Sequence, residues 1–189
     1  MDLTPKLRDA FKTVCFTETP LNQIYKLTAE DFPRRIKLKP HGLVFWRDEM
    51  LESGANPAIY LNADGTSLRE YLLSEFDRHF DGVKALSKLK RHEDFYKEII
   101  HYYSLVNLMS DRHDFSWERE WRHSGDFKFK FSDVVAIVTE NPDKFLRKCE
   151  KQLPARKVDF IKRIPIICAD WSYEDVVEEM AMKIWEKNA

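Results

Sequence analysis

Residues 117–122, Trp-Glu-Arg-Glu-Trp-Arg, constrain the fold more than any other stretch of the chain. In an extended backbone successive side chains alternate faces, so Glu118, Glu120 and Arg122 point one way and Trp117, Arg119 and Trp121 the other. Two like charges two residues apart on one strand face repel unless a cation or a ligand lies beside them. Arg122 supplies a cation in the same row. Two readings follow. Either the row is a site, since perturbed carboxylates gather at sites, or it is an edge strand that wears its charges outward and buries two tryptophans.

The composition limits what surrounds this row. With 43% hydrophobic residues, 13% aromatics and only 5 glycines in 189 residues, the chain reads as one folded globule and not as a disordered segment. The formal charge of −1 gives it no overall basic field with which to collect nucleic acid indiscriminately. Local basic runs at 34–39 and 84–91 read as solvated faces. Cys15, Cys149 and Cys168 form no CxxC pair, and their odd number and wide spacing fit a reducing compartment with thiols used as small core residues. No signal peptide and no membrane-spanning apolar run is visible, so the expectation is a soluble cytoplasmic protein.

Local patterns predict a single α+β domain over residues 1–189, with strands near both ends and helices between them. Thr4-Pro5 is a helix start. Strands are expected at 14–17, 42–45 and 57–61, a short helix at 21–27, and a helix at 47–53 stopped by Gly54. Asn62-Ala63-Asp64-Gly65 reads as a turn. Leu68, Tyr71, Leu72, Phe76 and Phe80 recur at helical spacing, as do Phe95, Ile99, Tyr103 and Val106; both stripes read as core packing. The strand signal returns at 117–122 and in the alternation of Phe127, Phe129 and Phe131 with Lys128 and Lys130. Val134–Val138 reads as a central strand. Asn141-Pro142 opens a helix, 164–168 is the last strand, and Ser172 caps a final helix carrying Val176, Val177, Met180, Ile184 and Trp185 on one face.

Several chemistries fit poorly. Asp111, His113, Asp114, Glu118, Glu120 and His123 fall close together, but no HExxH, CxxC or Asp-x-Asp pattern fixes a metal geometry, and Asp111–Asp114 reads better as the cap of a turn. A metal-dependent ribonuclease remains an alternative, although the glutamate strand lacks a lysine two residues on. No nucleophile elbow and no phosphate-binding loop is present, and Cys15 and Cys168 lie in apolar runs where a thiol is inert. His79 and His101 read as structural residues. His41 directly precedes the second strand.

Three pieces in order resemble the bacterial abortive-infection family AbiGi. They are Cys15-Phe16-Thr17-Glu18-Thr19-Pro20-Leu21, then His41-Gly42-Leu43-Val44-Phe45 with Gly54-Ala55-Asn56-Pro57-Ala58-Ile59-Tyr60, and finally Glu118-Arg119-Glu120-Trp121-Arg122. His41 stands where the family usually has tyrosine. The resemblance implies phage defence by an effector, or toxin, that damages or halts the infected cell. The layout is also similar to DarT-type ADP-ribosyltransferases, which implies an ADP-ribosyltransferase-like mixed sheet with inserted and C-terminal helices. It further implies NAD as the substrate and transfer of ADP-ribose to a nucleic acid or protein. On that analogy Glu120 stabilises the oxocarbenium-like ribose, Glu118 activates the acceptor and Arg122 holds the pyrophosphate. Thr17, Glu18, His41 and Tyr60 are the expected nucleotide contacts, with no metal. The rival reading is a non-catalytic regulatory binding module, a partner within a defence operon, in which the Glu/Arg row is a structural ion pair.

Overall fold

In the computed structural model, residues 11–29, 37–62, 67–80, 101–109, 114 and 116–188 are described. The expected helix start at Thr4-Pro5, the turn residues 63–65, the helical positions Phe95 and Ile99, the basic run at 84–91 and the polar residues Asp111 and His113 lie outside them, as does the first half of the basic run at 34–39. The secondary structure is mixed: β1 (Thr13–Thr17), α1 (Tyr25–Thr28), β2 (Gly42–Val44), α2 (Arg47–Glu52), β3 (Asn56–Pro57), β4 (Ile59–Asn62), α3 (Leu68–Phe80), β5 (Val106–Met109), β6 (Glu120–Ser124), β7 (Ala136–Thr139), α4 (Pro142–Gln152), α5 (Ala155–Lys162), β8 (Ile166–Cys168) and α6 (Tyr173–Asn188). Two compact units result. One comprises residues 1–18 and 50–128, the other 19–49 and 129–189.

The first unit is organised by β6. It pairs antiparallel with β1 on one side, Cys15 opposite Arg122 and Thr17 opposite Glu120, and with β3 on the other, Asn56 opposite Arg122. The expected strand at 57–61 is broken in two. Pro57 has no N–H to continue a ladder; Ala58 N–H still donates to Glu120 O at 2.8 Å, and from Ile59 the chain pairs in parallel with β5 instead. Val106 starts that strand and does not end a helix. The helical residues 101–105 give way because β-branched Val106 and its successors find a ladder partner in Ile59–Asn62. Phe76 of α3 is buried between the rings of Phe11 (5.5 Å) and Tyr103 (5.3 Å), whereas Tyr71, expected in the same stripe, is exposed.

In the second unit β7 lies centrally between antiparallel β2 and parallel β8. Its four residues are all buried, as a strand covered on both faces requires. Ile137 and Ile166 pack with Cys149, Ile161, Ile164 and Phe145 from the side of α4 and α5; Ala136 and Ile167 pack with Val176 and Met180 of α6 on the other. Asn141 caps α4, its Oδ1 accepting Lys144 N–H at 2.8 Å, with Pro142 at the first helical position. Helix α5, which Pro154 introduces, is an element that hydrophobic periodicity alone did not reveal. The phenylalanine alternation does not form a strand. Phe129 and Phe131 are exposed, and Phe131–Asp133 is a 3-10 turn closed by Asp133 accepting Lys130 N–H at 2.7 Å.

Candidate functional site

The tightest polar cluster sits on one face of the β1–β6–β3 sheet. Period-two alternation puts Glu120 and Arg122 on that face together with Thr17 and Cys15 of β1. Trp121 points to the opposite face, buried, with its indole N–H donating to Glu18 Oε2 at 3.3 Å. The Arg122 guanidinium grips the Glu120 carboxylate with two bonds, Nε to Oε1 at 3.1 Å and Nη2 to Oε2 at 2.9 Å. Its remaining nitrogen, Nη1, donates to the carbonyls of Ser104 at 2.7 Å and Val106 at 3.2 Å. The two side chains are only 17% and 14% exposed.

Glu120 is held from other directions as well. Asn107 Nδ2 donates to Oε2 at 3.2 Å, and the backbone N–H of Glu120 donates to the Tyr60 hydroxyl at 2.7 Å. Burial pushes the Glu120 carboxyl upward, but the bonds from Arg122, Cys15 and Asn107 and the charge of Arg122 outweigh it and hold the group below the usual carboxylate range. Loss of solvation beside the ion pair, with the neighbouring Glu120 charge, pushes both the Cys15 thiol and the Tyr60 phenol up. Arg122 is held more firmly protonated despite its burial, because of Glu120. The cluster is therefore a fixed ion pair with neutral Cys15 and Tyr60 around it.

The other sequence-predicted residues are distributed unevenly. Glu118 does not share the strand face of Glu120. Ser116–Glu118 is a 3-10 turn, and Arg119 at φ 48° turns the chain before β6 begins, so the extended register expected from 117 onward starts only at Glu120. A non-glycine residue in the left-handed region is uncommon; here Arg119 O accepts Glu18 N–H at 3.1 Å and its guanidinium meets Glu18 Oε2 at 3.2 Å. Thr17 is exposed and donates its hydroxyl to the Glu118 carbonyl. His41 belongs to the second unit, with Nδ1 3.4 Å from Thr139 Oγ1. Asp114 caps the turn before β6, accepting from Ser116 N–H at 2.9 Å. Among the described residues no three His, Cys, Asp or Glu side chains gather as metal ligands would.

Two participants escaped the sequence reading. Asn107 is a lone amide within Val-Asn-Leu-Met, and a polar residue inside an otherwise apolar strand signals a partner waiting for it. Cys15, expected as a core residue, is exposed and faces Arg122 across the ladder; alternation along Val14-Cys15-Phe16 sets it opposite to its apolar neighbours.

No curated protein and no solved structure matches the chain. No helix among the described residues is long and apolar enough to cross a membrane. One family profile, described as "Putative abortive phage resistance protein AbiGi, antitoxin", matches residues 7–170, a span that includes all three sheets and every residue of the cluster. The chain thus belongs to the AbiGi family of abortive phage resistance proteins.

Proposed function

We propose that this chain is the neutralising member of an abortive-infection system, a non-catalytic antitoxin that acts by binding a partner protein, and that Glu120–Arg122 fixes its fold. The observation that carries the reading is the closure of the pair. Nε, Nη1 and Nη2 of Arg122 all donate to atoms of the protein itself, and both oxygens of Glu120 accept from it. A guanidinium meant to hold a pyrophosphate needs donors directed outward, and a carboxylate meant to stabilise a ribose cation needs an unneutralised charge. The family description as an antitoxin supports the same side of the system.

The second reading is transfer of ADP-ribose from NAD to a nucleic acid or protein, with Glu118 and Glu120 as the working carboxylates. One observation favours it: the negative charges of Glu120 and Glu118 both act on the Tyr60 hydroxyl and help to push it up. An experiment in two arms separates the readings. Cells expressing the toxin of the same defence system recover growth when the chain is co-expressed, and purified chain incubated in lysate with NAD releases no nicotinamide. Nicotinamide release by wild type but not by Glu120→Gln would restore the transferase, and failure of wild type to restore growth would end the antitoxin reading.

A further inference from the structure

Helix α6 carries one broad apolar arc, of which only one margin is buried. Its inner side is committed: Val176 is buried, Met180 packs on the Ala136–Ile167 cluster, and Glu179 Oε1 accepts Ile166 N–H at 3.1 Å. Its start is fixed by Ser172 and Asp175, each accepting the other's backbone N–H, at 3.1 and 3.2 Å. Yet Tyr173, Val177, Ile184 and Trp185 are 62%, 44%, 59% and 72% exposed. At helical spacing Tyr173, Val177 and Ile184 lie within about 40° of arc, with Trp185 along one edge. A soluble helix ordinarily turns its apolar arc inward; a margin that stays outside, carrying tyrosine and tryptophan, marks a surface that another molecule covers.

The charges beside the stripe identify the covering molecule. Asp175 is engaged by Ser172, Glu179 by Ile166, and Lys183 by Glu186 at 2.8 Å. Glu174 and Glu178, one turn apart and bordering the stripe on the Trp185 side, have no cation partner among the described residues. The available charge is thus negative, which repels nucleic acid and anionic lipid and attracts a segment with lysine or arginine next to apolar side chains.

We infer that the Tyr173–Val177–Ile184–Trp185 face of α6 docks a basic, apolar segment of the partner protein. This rests on the antitoxin reading. Exposed tyrosine and tryptophan are the side chains that anchor interfaces, and Glu174 and Glu178 steer the approach.

The test joins growth rescue to direct binding. The variant Val177→Glu/Ile184→Glu replaces only exposed side chains, so circular dichroism should match wild type, while rescue from the toxin is lost. A synthetic amphipathic helix of leucine and lysine should shift wild-type tryptophan emission to the blue. It should bind Trp185→Ala about thirtyfold more weakly. Glu174→Lys/Glu178→Lys should slow its association about tenfold at low salt. Trp185→Ala and Glu174→Lys/Glu178→Lys also probe the face if the double-glutamate variant fails to fold. Wild-type rescue matched by rescue from every folded variant would overturn the docking face and leave the antitoxin reading standing; no rescue by wild type would remove both. Equal binding of a leucine–glutamate helix, or self-association of wild type that the variants abolish, would also overturn it, the latter in favour of a second copy of the chain.

Discussion

Glu120 and Arg122 illustrate why a paired charge is difficult to replace singly. Each is mostly buried, and each satisfies the other with two bonds. Glu120→Gln or Arg122→Met leaves one buried charge without its counterpart, and either should destabilise the protein by about 3 kcal/mol in urea denaturation. The double variant should lose clearly less than the sum, because no charge is then stranded. The pair also sets a pH dependence. Glu120 titrates below its ordinary range in the folded protein, so its stabilisation is complete above the unfolded carboxylate range and declines as pH falls through the native value. Exposed Asp114, Asp126 and Asp133 are shifted in the same direction, so the informative measurement is a difference. The stability gap between wild type and Glu120→Gln should hold constant from pH 7 down to the unfolded carboxylate value of 4.5 and narrow as pH falls below it.

Among the elements, those specified by local chemistry were legible and those specified by a partner were not. Asn141-Pro142 and Ser172 announce helix starts because their side chains and ring satisfy the first turn regardless of surroundings. Gly54 ends α2 at φ 93°, with nothing within 4 Å of where a Cβ would sit. Gly54→Ala should therefore cost about 1 kcal/mol, wholly from the backbone, and Gly54→Asn less, measurable by thermal denaturation. By contrast, Val106 fits a helical stripe as well as a strand until Ile59 offers it a ladder. Phe127–Phe131 alternates as a strand does, but it joins no ladder among the described residues, and its last residue enters a 3-10 turn.

For the whole molecule, the roles of the site residues separate by experiment. If Glu120–Arg122 holds the fold, Glu120→Gln should rescue cells from the toxin nearly as well as wild type at temperatures where it is folded, and rescue should fall only as the folded fraction falls. A catalytic residue would lose rescue with no change in stability. Rescue assayed at several temperatures beside the melting curve of the variant distinguishes the two.

The sequence by itself determined the mixed α and β character, most helix starts, a central buried strand (expected at 134–138, found at 136–139) and the family, because these rest on spacing, caps and ordered motifs along the chain. It also brought Glu120 and Arg122 to one face, since alternation is a property of any strand. Tertiary structure decided what that face does. Asn107 and the carbonyls of Ser104 and Val106, distant in sequence and supplied by the β5 segment, close around the pair and turn an apparent reactive row into an internal clamp. Which side of α6 would be covered was likewise undetermined, because Val176 and Val177 are equally apolar, and only packing against Ala136 and Ile167 decides which one remains outside.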